Sequence, residues 1–315
     1  MSEPENWERQ ALEKLAFSAL QEQRSARHWG IFFKTLTFAY LFILLFIFTG
    51  WFSKGDGPIG GKHTALIEMH GVIAANGEAS ADKVIGGLQD AFKDKNTKGI
   101  ILRINSPGGS PVQAGYIYDE IKRLRAKHPE IPLYAVVEDI CASGGYYVAA
   151  AADRIYVDKA SIVGSIGVLM DGFGFTGTLD KLGVERRLLT AGENKGFLDP
   201  FSPMNGKQKE FAQSMLKEIH QQFIKAVRDG RGKRLKETPE MFSGLFWTGE
   251  RSIEMGMTDA FGSTEYVARE VIKAEDIVDF TLQEGIAERF AKRFGAAMMS
   301  SANPLAQGGT GISLK

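Results

Sequence analysis

Between Thr35 and Phe52 the chain runs for eighteen residues without a charged side chain, inside the longer stretch Ile31–Phe52, IFFKTLTFAYLFILLFIFTGWF. An apolar run of that length spans a bilayer, and Lys34 at its edge can snorkel to the interface. It is too long for the core of a cleaved signal peptide, and no A-x-A-like site follows it. It therefore reads as an uncleaved anchor, and it divides the chain. The expected organisation is an N-terminal tail over 1–30, the transmembrane anchor over 31–52, a Gly-rich linker over 53–64, one large domain over 65–275, and a C-terminal tail over 276–315.

Lys14, Arg24, Arg27 and Lys34 lie on or before the N-terminal end of the anchor, against Lys54 and Lys62 shortly after it. That excess places the N-terminus in the cytoplasm and the domain across the membrane, in a periplasm where the cell has one. Residues 2–30 are polar, with Trp7, Leu12, Leu15, Phe17 and Leu20 at partly helical spacing; the reading is a loosely ordered tail, with a short amphipathic surface helix as the alternative. Residues 295–315 are rich in Gly, Ser and Ala and read as disordered.

Lys+Arg and Asp+Glu both number 38, and a zero balance argues against a nucleic-acid partner. The lone cysteine, Cys141, excludes an intramolecular disulfide framework and metal sites built from cysteine pairs. A single thiol also suits an oxidising compartment, since no wrong pairing can form within the chain. His28, His63, His70, His128 and His220 show no close ligand spacing, so neither a metal nor another cofactor is expected.

Past the linker, strands and helices alternate. Strands are expected at 65–69, 99–104, 133–137 and 154–157, and helices at 80–95, 112–127 and 143–152. Such alternation implies βαβ units and a largely parallel sheet. A long amphipathic helix follows over 205–228, with Phe211, Met215, Ile219, Phe223 and Val227 every four residues as a stripe for core packing or a subunit contact. Asn205 and Gln208 are spaced for a capping box at its start. A last helix is expected over 264–274.

The chemistry concentrates in Asp139–Asp153, DICASGGYYVAAAAD. A buried-looking strand, a small-residue turn and a helix beginning at Ser143 would set that hydroxyl at a helix N-terminus, where unpaired N–H groups favour negative charge. A helix cap and a nucleophile explain this stretch equally well. Ile100–Gly109, IILRINSPGG, adds a strand that enters a Pro-Gly-Gly turn, a device that can aim backbone N–H groups into a cleft.

Taken together, RINSPGGS, DICASGGYYVA, IVGSIGVLM (Ile162–Met170) and LLTAGENKGFLDPF (Leu188–Phe201) resemble the signal peptide peptidase A (protease IV) family, in its short, single-repeat bacterial form. The resemblance extends from Ala65 to Ala274. It implies an α/β fold of the Clp/crotonase type, a repeated ββα spiral, carrying a Ser-Lys dyad serine endopeptidase. Ser143 would be the nucleophile and Lys195 its general base. Without the resemblance Lys195 would read as a solvated surface charge, and His70 and His128 read as capping or solvated side chains. A lysine that works as a base near neutral pH must be largely uncharged, and Phe197, Leu198 and Phe201 could supply the burial that favours this. Several relatives carry a polar residue after the lysine where this chain has Gly196.

By the same resemblance Ser165 would orient the lysine, and the N–H groups of Gly108 or Gly109 and of Gly144 would form the oxyanion hole. Val112, Tyr146 and Tyr147 would line a pocket for small and aliphatic side chains. The implied substrates are hydrophobic peptides such as released signal peptides. The implied place is the bacterial inner membrane, with a single pass in contact with lipid. Double-length relatives carry the lysine and the serine in different copies of the fold, which implies here a homo-oligomeric ring, an octamer by resemblance. Two rival readings are an acyl-CoA enzyme of the crotonase type and a non-catalytic membrane scaffold.

Overall fold

The computed structural model describes residues 5–48 and 61–282. The expected disorder over 295–315, the linker up to residue 60 and the last four residues of the expected anchor lie outside the described residues. Two compact units are separated in the chain, one of them containing residues 59–283.

The first described element is a single helix, α1 (Glu5–Phe48), of 44 residues. The expected loose tail is therefore helical from residue 5 onward. The physical reason is local: residues 5–29 are dominated by Glu, Gln, Ala, Leu, Arg and Lys and contain no Gly or Pro to break the helix. By length and composition Leu12–Phe46 suffices to cross a membrane, with a mean hydropathy of 1.8; a signal sequence near an N-terminus passes the same test.

In the second unit the elements run β1 (His63–His70), α2 (Ala81–Lys93), β2 (Thr97–Ser106), α3 (Pro111–Lys127), β3 (Leu133–Ala142) and α4 (Gly144–Ala149). They continue as β4 (Arg154–Val157), β5 (Ile162–Gly164), α5 (Thr176–Leu182), α6 (Gly206–Arg231), β6 (Phe246–Thr248), α7 (Gly249–Glu254), β7 (Ala260–Phe261), α8 (Thr264–Tyr266) and β8 (Ile277–Asp279). The expected last helix is present but changes character, since α8 passes into a π-helical stretch over Val267–Ile272.

All the described strands join one mixed sheet. β8, β1, β2 and β3 pair side by side in parallel. Beyond β3 the sheet forks. β4 pairs with Tyr134–Val136 and leads on to β7, whereas β5 pairs with Ile140–Ala142 and leads on to antiparallel β6. Between the two branches the Glu138 carbonyl would lack a partner. Ser161 fills the gap, its hydroxyl donating to that carbonyl at 2.5 Å and accepting from the Asp158 N–H at 3.0 Å.

Alternate residues of the strands face a core built with α2, α3, α4 and α6, including Ile67, Ile100, Leu102, Leu133 and Ala135. The other face carries Leu66, Ile101 and Val136 against Val267 and Ala268. α2 contributes Val84, Leu88 and Ala91, spaced for one helical face. Fully burying each such Leu or Ile contributes about 1.5–3 kcal/mol. α3 begins at a Ser110 cap with Pro at its first position. Its Gln113 side chain accepts the Ala81 N–H at 2.8 Å, fastening the starts of α2 and α3 together.

α6 is fixed at its C-terminal half. Phe223, Ile224, Ala226, Val227 and Arg231 are buried there, whereas only Ala212 is buried nearer its start. Arg231 is fully buried and pairs with Asp259 at 2.8 Å, while Arg234 reaches the other carboxylate oxygen at 3.1 Å. The same carboxylate accepts the Ile155 N–H of β4 at 2.7 Å. Burial by itself would raise the Asp259 pKa; the Arg231 bond and charge, the Ile155 N–H and Arg234 outweigh it and hold the carboxyl below its ordinary value.

Asp259→Asn leaves the Arg231 charge buried without its counter-ion and should cost about 3 kcal/mol at pH 7. A depressed carboxylate stabilises fully above its unfolded pKa of about 3.9 and loses that contribution as pH falls through the folded value. In thermal unfolding of the full chain, the gap between wild type and Asp259→Asn should therefore narrow below about pH 4. A gap independent of pH would remove Asp259 as the clamp.

Candidate active site

Ser143 follows the last residue of β3 and precedes α4, at φ 51° and ψ −123°. A side chain other than glycine is held in that left-handed region only where its surroundings fix it. Here the Ser143 N–H donates to the Gly164 carbonyl at 2.8 Å, and the Ser143 carbonyl accepts from the Tyr147 N–H at 3.0 Å. Gly164 is the register partner of Ala142, so Ser165 leaves β5 beside Ser143 as it leaves β3. Ser165 is also left-handed, at φ 52°. Its N–H donates to Leu245 at 2.7 Å and its carbonyl accepts from Gly167 at 2.9 Å.

The Pro107–Gly109 turn is pinned from both sides. Ile73 donates its N–H to the Gly108 carbonyl and accepts the Ser110 N–H, both at 2.8 Å. Those two bonds flank Gly109 and turn its own N–H away from Ile73. The Gly108 N–H donates to the Ser106 hydroxyl at 3.1 Å, and that hydroxyl donates to the Gly71 carbonyl at 2.6 Å. Gly108 is therefore occupied and is not a free donor, while Gly109 and Gly144 use their N–H groups in none of the described hydrogen bonds. The two are neighbours, since a Cβ built on Gly144 would lie 3.4 Å from the Gly109 nitrogen. Gly108 has φ 98° and a Cβ there would come within 2.7 Å of both the Ser143 Cβ and the Gly144 nitrogen, so only glycine fits behind the serine.

A cleft of about 710 Å³ opens over these groups, lined by Ser143, Gly144, Gly109 and Ser165 together with Tyr147. Its apolar walls come from Leu169 and Met170 on one side and from Met215, Ile219 and Phe223 of α6 on the other. The sequence stripe along α6 is thus shared among three roles. Val227 is buried in the core, Phe223 is buried and also lines the cleft with Met215 and Ile219, and Phe211 is exposed. Nothing in a four-residue spacing separates a core wall from a cleft wall, which is why the sequence missed these lining residues.

Two expected pocket residues do not line this cleft. Tyr146 is fully buried, with its hydroxyl donating to the Met257 carbonyl at 2.8 Å, and is a core side chain. Val112 is exposed on the first turn of α3, where Pro111 rather than Val112 reaches the cleft. Cys141, two residues before Ser143, is buried, and burial pushes its thiol well above the ordinary value. It offers no competing nucleophile. His70 faces Glu138 at 2.9 Å, and His128 ends α3. Neither lines the cleft.

Lys195 is exposed and is not among the cleft-lining residues of its own chain. It sits on an arm, residues 168–205, that is largely exposed and in which α5 buries nothing. The arm is held by its own contacts: Phe175 stacks on Phe201 at 5.5 Å, Arg186 covers the same ring, and the Phe175 N–H donates to Pro200 at 2.7 Å. The expected capping box on α6 is only half formed. Asn205 accepts the Lys207 N–H at 2.9 Å, but Gln208 reaches outward and accepts the Leu198 N–H at 3.1 Å. Gln208 thereby ties the lysine-bearing arm to α6.

Comparison with known proteins adds a lineage to this geometry. Residues 125–278 match the family model described as Peptidase family S49, a span that includes Ser143, Ser165 and Lys195. Over 202 residues the chain is 44% identical to a protein of Brucella melitensis named Na(+)/H(+) antiporter NhaA, a match covering 62% of this chain and 27% of that protein. It is 34% identical over 202 residues to "Putative protease MJ0651" of Methanocaldococcus jannaschii, covering 62% of this chain and 64% of that one. It is 29% identical over 220 residues to Protease 4 of Haemophilus influenzae, covering 68% of this chain and 35% of the other. The chain thus spans less than two thirds of each of these relatives. The S49 match begins in the last turn of α3 and ends in β8, and together with the protease-named relatives it makes this chain similar to the peptidases of family S49 over that span.

Proposed function

We propose that this chain is a membrane-anchored serine endopeptidase that degrades released signal peptides and similar apolar peptides through a Ser143–Lys195 dyad. The observation that carries the reading is the left-handed Ser143 set in an apolar cleft beside the unengaged N–H groups of Gly109 and Gly144. A serine becomes a nucleophile when a base takes its proton, and the charge that develops on the attacked carbonyl oxygen needs preorganised donors. Gly109 and Gly144 fill the second role. Ser165, next to Ser143, orients the base. Tyr147, Met215 and Ile219 receive aliphatic side chains of the substrate.

The base comes from a neighbouring copy. Lys195 is solvated on its own chain, and the arm that bears it exposes Leu169, Phe173, Leu182 and Leu189, the last at 95%. Exposed apolar surface on that scale marks a protein contact. A closed head-to-tail ring would bury it and carry Lys195 of one subunit to Ser143 of the next. Burial in that interface would favour the neutral amine that general-base catalysis requires. The octamer is the ring size this proposal adopts. Within each subunit the forked β3, feeding β4 and β5 from one edge, fits the repeated ββα spiral of the Clp and crotonase folds. The apolar half of α1 and its basic N-terminal flank support a single pass through the bacterial inner membrane, with the peptidase domain on the periplasmic side.

Mixing decides the dyad. Ser143→Ala and Lys195→Ala proteins should each be inactive, yet co-expressed they should regain roughly a quarter of the sites, since half the subunits at each position of a head-to-tail interface are intact. Mixed rings that form and stay inactive would place both groups in one chain. Absence of labelling of wild type by a serine-reactive phosphonate would remove the peptidase reading altogether.

Topology has its own readout. Protease added to spheroplasts should digest the chain beyond about Lys54 and leave a membrane-protected N-terminal fragment. Protection of the C-terminal portion instead would reverse the orientation.

A further inference from the structure

His220 lies on α6 among residues that wall the cleft, and none of the roles above uses it. Its Nε2 is 3.0 Å from the carbonyl oxygen of Ile166. A carbonyl only accepts, so this ring nitrogen carries the proton. Ile166 is fully buried, and no other described hydrogen bond reaches its carbonyl. A buried acceptor without a donor is costly, so the bond is an obligation of the fold at this point.

Its location gives the bond a second meaning. Ile166 is the central residue of the tight turn in which the Gly167 N–H returns to the Ser165 carbonyl. Ser165 enters that turn at φ 52°, and both Ser165 and Gly167 line the cleft with Ser143. From the strand side the turn is held through the Ser165 N–H to Leu245. From the helix side, His220 is its only described hydrogen-bond donor. A left-handed serine persists where surrounding contacts over-determine it.

We propose that His220 is a positioning residue: its Nε2–H holds the Ile166 carbonyl and so keeps Ser165 in the conformation in which it lines the cleft beside Ser143. The inference rests on the reading of Ser143 as nucleophile and of Ser165 as the group that orients its base. His220 touches neither substrate nor the reacting atoms. It acts through one peptide unit, across 54 residues of sequence. Gln can replace it as a donor, whereas Leu and Phe fill the space without donating.

The test uses the full-length protein in detergent, as wild type, His220→Gln, His220→Leu and His220→Phe, with Ser143→Ala as the inactive control. Steady-state turnover of a hydrophobic peptide is measured alongside amide exchange at Gly167, and wild type is also labelled with a fluorophosphonate. His220→Leu should lower kcat about tenfold, equivalent to about 1.4 kcal/mol, with KM within about twofold and faster exchange at Gly167. His220→Gln should recover to within about threefold of wild type. His220→Phe repeats the test should the leucine protein fail to fold. A folded His220→Leu or His220→Phe protein with kcat within about twofold of wild type overturns the proposal. So does a loss confined to KM, or a His220→Gln protein as slow as the non-donors. Unlabelled wild type, or turnover by Ser143→Ala, would instead sink the nucleophile reading itself, so the two failures are told apart.

Discussion

The N–H of Ser143 donates to the carbonyl of Gly164 across 2.8 Å, and the arrangement of the cleft depends on that bond. It is the last rung of the β3–β5 ladder, placed one residue beyond the Ala142–Gly164 pair. A ladder that ended one residue earlier would let Ser143 relax into ordinary helix-entry geometry. Because the rung is made, the chain must leave β3 through a left-handed serine and leave β5 through another. Each costs of order 1–3 kcal/mol of local strain. The fork in β3 is what allows this, since β5 can run alongside Ile140–Ala142 only because β4 has already turned away.

The Pro-Gly-Gly turn is held by separate means. Ile73 grips it on both sides of Gly109, and Ser106 takes the Gly108 N–H. Two adjacent glycines therefore do different work. Gly108 gives room behind Ser143, and Gly109 presents its N–H beside that of Gly144. The sequence could name both glycines but could not divide the labour, because the division lies in which partner each N–H meets.

Much of the fold was legible. The expected strand at 154–157 matches β4 end for end, and the helix at 112–127 differs from α3 by one residue. Period-2 and period-3.6 patterns are strong signals over such lengths. The extension of β3 to Ala142 was hidden, because Glu138 and Asp139 interrupt its apolar run exactly where the sheet forks. Short strands such as β6, β7 and β8, of two or three residues, carry no period at all. At the site, Ser143, Ser165, Gly109, Gly144 and Tyr147 line one cleft, and Lys195 does not. Tyr146 went astray because adjacent helical residues point in directions about 100° apart, and one tyrosine of the pair had to enter the core. The role of His220 and the actual partner of Gln208 were illegible because each binds a backbone atom of a loop outside its helix, a contact no spacing announces.

α6 joins these parts mechanically. Its C-terminal end is clamped through Arg231 and Asp259, whereas its first turns carry mostly exposed side chains and the Gln208 link to the arm. A helix rises about 1.5 Å per residue, so the arm's point of attachment stands some 35 Å from the clamp, with Met215 about 24 Å out. The helix is a cantilever with the cleft wall along its span. A sideways load at the arm is felt strongly at Met215, weakly at Phe223 and hardly at all at Arg231. Width at the mouth of the cleft is thereby geared to whatever the arm rests against, while the floor around Ser143 stays rigid.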